Sequence, residues 1–455
     1  MSGNAAPSRG QWLTLAAAFL GWMFDGVEQG LFPQVARPAL KNLLHVADDA
    51  AIAVWNGRIL ACFLVGAAVG GVAFGWLGDK IGRVRAMALS ILAYSLFTGA
   101  CYFAAAPWQL GLFLFLAALG MGGQWSLAVA LVVECWPDRH RPKLAGAIGA
   151  ASNFGFLLIA VVAFSRPVTE QDWRWLMLVG AAPAVLALLI ISFVPESERW
   201  KAAVKQGGGS PLVEIFRPGL MRKTLLGIAL ASVPLIVTWA AVSGWIPGWV
   251  NQMTEETAAK GMLSEEALGR FTRIADPQAK NAMLKSALTS AEWDQVMARS
   301  ARAKASVQIL LAIGAILGSF FAPLVCGTVG RRPAYFALCL LGLTCCECLC
   351  LSGWQYGLGF LAMAAVIGAA TASFYGWLPL YLPELFPTRV RATAQGVSYN
   401  SGRLVAAAAN LAMGQLVGLL GGSYRYAIAT VALVYVVGLM VIWLAPETKG
   451  KPLPD

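Results

Sequence analysis

Charge is scarce in this chain. Only 13% of its 455 residues are Asp, Glu, Lys or Arg, while 58% are apolar, and the mean hydropathy is +0.66. Soluble proteins carry about 25% charged residues. The shortfall excludes an ordinary soluble chain and makes lipid the expected solvent. Histidine is nearly absent: His45 and His140 both fall in predicted loops, and no Ser-His-Asp arrangement suggests itself. An enzyme is therefore not expected. A nucleotide loop is lacking too. The Gly-rich "GMGGQ" at 120–124 sits in an apolar run with no Lys-Ser or Lys-Thr after it, and helix packing explains it better. The polar lead Met1–Gly10 runs into a long span without the short apolar region and cleavage site of a secretory signal. That span is expected to stay in the mature protein.

Nine cysteines are present, almost all inside predicted spans, which excludes a secreted disulfide framework. Four of them crowd "TCCECLC" at 344–350. Cys345, Cys346, Cys348 and Cys350 cannot all face one ion from a regular helix, because sharing a face needs spacings of three or four. No metal and no cofactor are expected. The net charge of +11 does not point to nucleic acid. The basic residues come in short bursts between apolar runs, which is a topology signal.

A bilayer-crossing helix needs about 20 apolar residues. Twelve such runs stand out: 12–33, 54–77, 86–106, 108–132, 143–165, 173–194, 223–249, 305–327, 333–353, 357–382, 391–420 and 424–445. Lipid gives backbone groups no water partners, so spans must be helices or closed barrels, and uninterrupted runs of this length favour helices. With the N-terminus in the cytoplasm, the inner loops hold nineteen Lys and Arg. The short outer loops hold five: Arg37, Lys41, Arg166, Arg174 and Arg425. That bias places both termini inside. The expected fold is an all-α membrane protein of 12 transmembrane helices in two six-helix bundles. Residues 1–200 form the first bundle, 201–222 a cytoplasmic linker containing "KQGGGSP", and 223–455 the second bundle. Residues 250–304 form a helical insertion outside the membrane, between spans seven and eight.

The loop "GWLGDKIGRVRAM" (75–87) aligns with "PLVCGTVGRRPAY" (323–335), Gly82-Arg83 matching Gly330-Arg331. Similar loops in equivalent places mark internal repeats of a two-bundle transporter. The first loop resembles the G-x-L-x-D-x-x-G-R signature of the major facilitator superfamily. "WRWLMLVGAAPAVLALLIISFVPESERW" (173–200), "LPELFPTRVRATAQG" (382–396) and "PETKG" (446–450) resemble its sugar-porter-like branch, and "ECWPDRHRPKLAG" (134–146) is the first-half counterpart of the 384–396 stretch. The resemblance implies alternating access and a cytoplasmic gate of charged pairs. Its candidates are Gly75, Asp79, Gly82, Arg83, Glu134, Arg141, Glu196 and Arg199 in the first half. Those in the second half are Gly330, Arg331, Arg332, Glu384, Arg391 and Glu447. The plainer reading is that the basic residues only set topology. Gly327 stands where the second-half loop often carries Asp, so a charge contact is expected to be missing there.

Ionisable groups inside spans are costly and usually face a cavity or a partner. Asp25, Glu28, Arg58 and Arg403 are such groups, and Glu347 is a fifth without a clear role. Asp25 and Glu28 lie one turn apart on span one, with Gln29 beside them. Asp25 is roughly 20 Å above the start of its span, and Arg58 roughly 6–9 Å below the outer start of span two. Glu28 and Arg58 are therefore expected to share a depth and pair. The three together are the expected proton-coupling set; the alternative is a pair that merely ties helices. Arg403, near mid-membrane with Asn400 one turn earlier, suits a carboxylate, because two N–H groups can meet two oxygens. Gln124, Trp125, Asn153, Gln308 and Tyr375 are further expected contacts. "DGVE" resembles the Asp-Gly-x-Asp pattern of aromatic acid/proton and sialate/proton symporters. That resemblance implies uptake of an organic acid with a proton. The chain is expected to be a monomer in the plasma (inner) membrane, with a small molecule, a proton and the bilayer as its partners. Rival readings are a proton-driven exporter of cations, a facilitative sugar-type carrier and a non-transporting sensor.

Overall fold

The structure is a computed structural model describing residues 7–44, 49–166, 168, 170–205, 211–274 and 277–454. His45 and most of the "KQGGGSP" stretch lie outside the described residues. Among those described, the chain is helical and contains no strand. Helices α1 (Arg9–Leu44), α2 (Asp49–Ile81), α3 (Arg83–Ala100), α4 (Pro107–Gly122), α5 (Gln124–Cys135), α6 (Arg141–Ser165), α7 (Arg174–Ala181) and α8 (Ala184–Phe193) make the first bundle. Short α9 (Glu198–Lys205) and α10 (Pro211–Glu214) follow. The second bundle comprises α11 (Pro218–Val237), α12 (Ser243–Met262), α15 (Ser290–Val329), α16 (Arg331–Leu351), α17 (Leu358–Leu385), α18 (Arg391–Leu419), α19 (Tyr424–Ala432) and α20 (Val434–Val441). Between its second and third members stand α13 (Glu265–Arg273) and α14 (Pro277–Ala287).

Eleven helical stretches among the described residues are long and apolar enough to cross a membrane. The expected first span is not one of them. At 36 residues α1 has the length, but Asp25, Glu28 and Gln29 dilute its apolar run. A bilayer explains the outer surface: Phe103, Val185, Leu188, Phe193, Leu411 and Leu419 all lie exposed on the flanks of the bundles.

Glycine sets the spacing inside each bundle. α1 crosses α6 so closely that a methyl on Gly26 or Gly155 would overlap the facing backbone carbonyl of Ser152 or Met23. α15 and α17 cross in the same manner at Gly314 and Gly318. The bundles meet along two seams, α2 against α18 and α6 against α15 and α17. Span two belongs to the first half and span eight to the second, so the seams are related by the internal repeat. Gly82 and Gly330 sit at φ 108° and 109°, a conformation that side chains disfavour, and each turns the chain directly into the N-terminus of the following helix.

Outside the bundles, α12 and α15 extend beyond the apolar spans and carry α13 and α14 between them. These four helices share a small core of their own, Ala259, Phe271, Leu284 and Val296. A Thr289–Glu292 capping box starts α15.

Candidate functional site

Two charged layers occupy the space between the bundles. The first is a central cluster. Asp25 is fully buried on α1 and accepts a hydrogen bond from Gln29 Nε2 at 3.1 Å. The charge of Arg403, on α18 of the other half, reaches it. Arg403 is itself buried, donates to Asn400 Oδ1 at 3.2 Å, and lies 4.9 Å from the centre of the Tyr399 ring. Tyr399 stacks on Trp125 of the first half, with centroids 4.3 Å apart and planes at 17°. Asn400 also donates to Gly396 O at 2.9 Å and, across the seam, to Gly122 O at 3.4 Å. Asn400 thus fixes Arg403 and ties the halves together. Tyr375 stands beside the turn holding Thr238 and Trp239, where the chain widens into one π-helical turn. Such turns frequently mark functional sites.

Glu28 lies elsewhere. It points into the first bundle, where it accepts a hydrogen bond from Thr98 Oγ1 at 2.6 Å. Tyr94 and Cys101 are its electrostatic neighbours, and a methyl on Gly180 of α7 would come within 3.6 Å of Glu28 Oε2. The expected pair with Arg58 is not formed. Arg58 is exposed, its guanidinium 5.2 Å from the Trp55 ring. Depth along a helix fixes height but not azimuth, and Arg58 faces away. Gln308 is likewise exposed on α15, outside the buried cluster. Asn153 is half-buried, while Gln124 is fully buried against Gly21.

The second layer is a charged network, built twice, that gathers most of the expected gate residues. In the first half Arg83 forms a fork on Glu134, with Nε–Oε2 at 3.2 Å and Nη2–Oε1 at 3.0 Å, and reaches Asp79 at 2.7 Å. Glu196 accepts the backbone N–H groups of Arg83 and Val84 at 3.0 Å each, capping α3 just after Gly82. In the second half Arg331 forms the same fork on Glu384 at 3.0 and 2.8 Å. Glu447 caps α16 through the N–H groups of Arg331 and Arg332. Burial works to raise the Glu447 carboxyl, but the N–H groups of Arg331, Arg332, Lys449 and Thr448 hold it below its usual range.

Each node also binds an arginine from the opposite half. Arg391 meets Glu134 at 3.1 Å, and Arg141 meets Glu384 at 3.5 Å. Asp79 adds contacts in the first node only: it accepts the N–H groups of Ala392 and Thr393 and the Thr393 hydroxyl, so it caps α18 across the seam. At the equivalent place in the second node stands Gly327, where an added Cβ would press on Pro142 at 3.0 Å. Two candidates fall outside the cores. Arg199 is exposed, 3.7 Å from Asp138, and the Arg332 guanidinium lies over the Trp443 ring. Gly75 brings α2 against the Ala392 carbonyl.

The final residues join this layer. Pro454 O accepts from Arg391 Nη2 at 2.8 Å, Lys451 O lies 3.5 Å from Arg141 Nη1, and Leu453 is buried. Sequence reasoning did not single out this tail. Nor did it find Ser197, whose side chain lies near Glu134, and Thr448, which donates to Glu384 at 2.6 Å. The repeated Pro-Glu-Ser and Pro-Glu-Thr at 195–197 and 446–448 held that signal.

The likeness to known proteins agrees with this layout. The family profile described as "Sugar (and other) transporter" matches residues 31–208 and 294–455, leaving out α10 to α14. A cis,cis-muconate transport protein of Acinetobacter baylyi is 26% identical over 415 residues, covering 89% of this chain and 87% of that one. A sialic acid transporter of Escherichia coli, NanX, is 23% identical over 96% of this chain and 94% of its own. Among solved structures, the proton:xylose symporter XylE bound to 6-bromo-6-deoxy-D-glucose superposes with a TM-score of 0.70 over 97% of both chains, at 17% identity. The chain is a membrane transporter, not an enzyme, and it belongs to the sugar (and other) transporter family of the major facilitator superfamily.

Proposed function

We propose that the protein imports a small organic anion together with a proton. The observation that carries this reading is a buried carboxylate, Asp25, on one half within electrostatic reach of a buried guanidinium, Arg403, on the other. A substrate carboxylate seated on Arg403 would stand beside Asp25. Two neighbouring anions repel in a site of low dielectric, so anion binding and protonation of Asp25 favour each other. That mutual preference is the coupling. Glu28, held by Thr98 inside the first bundle, is the second proton-carrying candidate on this reading. Tyr399 and Trp125 give Arg403 an aromatic wall, and the relatives' names, muconate and sialic acid, are those of carboxylates.

On this reading α1 is a twelfth span, both termini are cytoplasmic, and the gate arginines face the cytoplasm. The protein works as a monomer in the plasma membrane, its halves rocking about the central cluster. The nearest rival, export of a cation held by Asp25 and Glu28, would leave Arg403 facing its own cargo.

Uptake of labelled cis,cis-muconate into proteoliposomes with an imposed pH gradient tests the proposal. Acid outside should accelerate uptake. Arg403→Gln should abolish it, and Asp25→Asn should leave exchange but remove acceleration by the gradient. Gradient-driven accumulation by Asp25→Asn at the normal rate would refute the coupling. Transport of amines in place of carboxylates would favour the rival.

A further inference from the structure

A cavity of about 440 Å³ lies between α12 and α15, at the base of the insertion and apart from the central cluster. Ligand sites commonly occupy about 300–1,000 Å³. Two helix faces make its walls. Thr254, Ala258 and Gly261 recur at spacings of three or four on α12, and Gln295, Arg299 and Arg302 do the same on α15. Side chains so spaced share a face, so both arginines line one space. Tyr356, from the turn after α16, contributes an aromatic edge. A Cβ on Gly261 would meet nothing within 4 Å, which leaves room at that end.

The chemistry of the lining is one-sided. Among the described residues that line the cavity, two are cationic and none is acidic. Glu256 of α12 is engaged with Lys280 of α14 at 3.5 Å. The Thr254 and Thr257 hydroxyls donate to carbonyls of their own helix, Val250 O and Met253 O, at 2.9 and 2.8 Å. The protons available to a guest therefore come from Arg299, Arg302, Gln295 and the Tyr356 hydroxyl. Forked guanidinium donors match the two oxygens of a carboxylate or a phosphate.

We propose that this cavity is a second anion site, binding a small oxyanion between Arg299 and Arg302. Arg302 begins an apolar span, Arg302–Val329, so a dissolved carboxylate and the phosphate of a lipid headgroup can both reach it. The site does not depend on which anion the central cluster carries. Its α12 wall belongs to the part of the chain that the family profile leaves out, while Arg299 and Arg302 lie within the matched part.

Equilibrium dialysis of labelled benzoate tests it, using the full chain in phosphatidylcholine nanodiscs. The Arg403→Gln background removes the central arginine. In that background one benzoate site should remain, and R299Q/R302Q should weaken it by about tenfold or more, since two charged donors are lost. R299K/R302K keeps the charge without the forks and should fall between. Its melting temperature should match the parent, which separates lost binding from lost folding. Adding phosphatidylglycerol distinguishes the two sources: competition with benzoate assigns the site to a lipid phosphate, and its absence to a free anion. Either result supports the site. Benzoate binding that is absent in Arg403→Gln, or unchanged by R299Q/R302Q, overturns it.

Discussion

Glu134→Gln perturbs the proposed gate where arginines of both halves converge. Glu134 accepts from Arg83 in its own half and from Arg391 across the seam. Only contacts that differ between two conformations shift the balance between them. The Arg83 fork lies within one half and can persist when the halves part, so the Arg391 contact decides the effect. At 3.1 Å and an effective dielectric of about 20, the direct attraction is about 5 kcal/mol. Removing one member of a buried pair typically costs about 3–5 kcal/mol. After the change, Arg391 keeps the carbonyls of Pro383 and Pro454 but no carboxylate in contact. The closed state should lose about 10²- to 10⁴-fold in relative population. Spin labels at exposed Lys80 and Lys449, one on each half, read this as a new long-distance population. Glu384→Gln should open the gate less, because Arg141 crosses at 3.5 Å and also holds Asp138. An unchanged distance distribution in a folded Glu134→Gln protein, or a larger effect from Glu384→Gln, would refute this account.

Gly155→Ala should lower the melting temperature in detergent, at a cost of about 1–3 kcal/mol from overpacking against Met23. Gly57→Ala, whose Cβ would meet nothing, should not lower it. Thr98→Val keeps the side chain's shape but leaves the buried Glu28 carboxylate without its donor. About 1–3 kcal/mol of stability should go with it, and an unaltered melting temperature would count against that bond. Glu447, held below its ordinary value, binds a proton more weakly when folded than when unfolded. Its contribution is therefore complete above the unfolded value of about 4.5 and is lost as pH falls further, through the folded value. Melting temperature against pH should show a shallower acid decline in Glu447→Gln than in the parent.

The gate was largely readable in the sequence because its residues sit in repeated loops at fixed spacing. Arg83 and Arg331 follow their glycines identically, and the forks on Glu134 and Glu384 follow from that repetition. The missing carboxylate at Gly327 was readable for the same reason. The central cluster was readable in composition but not in geometry. Three residues of helix rotate a side chain by about 60°, which turns Asp25 toward Arg403 and Glu28 toward Thr98. Height alone could not separate those faces, so Arg58 was given a partner it does not have. Thr98 and Tyr399 look like ordinary packing residues until the fold sets them against charge. Gln308 shows the converse, because a polar residue in a span does not have to face inward. In α1 the residues that suggested function also lower the helix's hydropathy, so the span expected at 12–33 is not among the eleven apolar stretches.

The tail carries a consequence for the timing of gate opening. Arg391 and Arg141, the two arginines that reach across the seam, also hold the carbonyls of Pro454 and Lys451. Arg391 belongs to the tail's own half, so the halves part by breaking the Arg141–Lys451 contact, which frees that end of the peptide. Lys449 is exposed at its base, so susceptibility of the Lys449–Gly450 bond to trypsin becomes a clock for the transport cycle, the Lys451–Pro452 bond being resistant. Cleavage should quicken under conditions that release the arginines and slow under those that engage them.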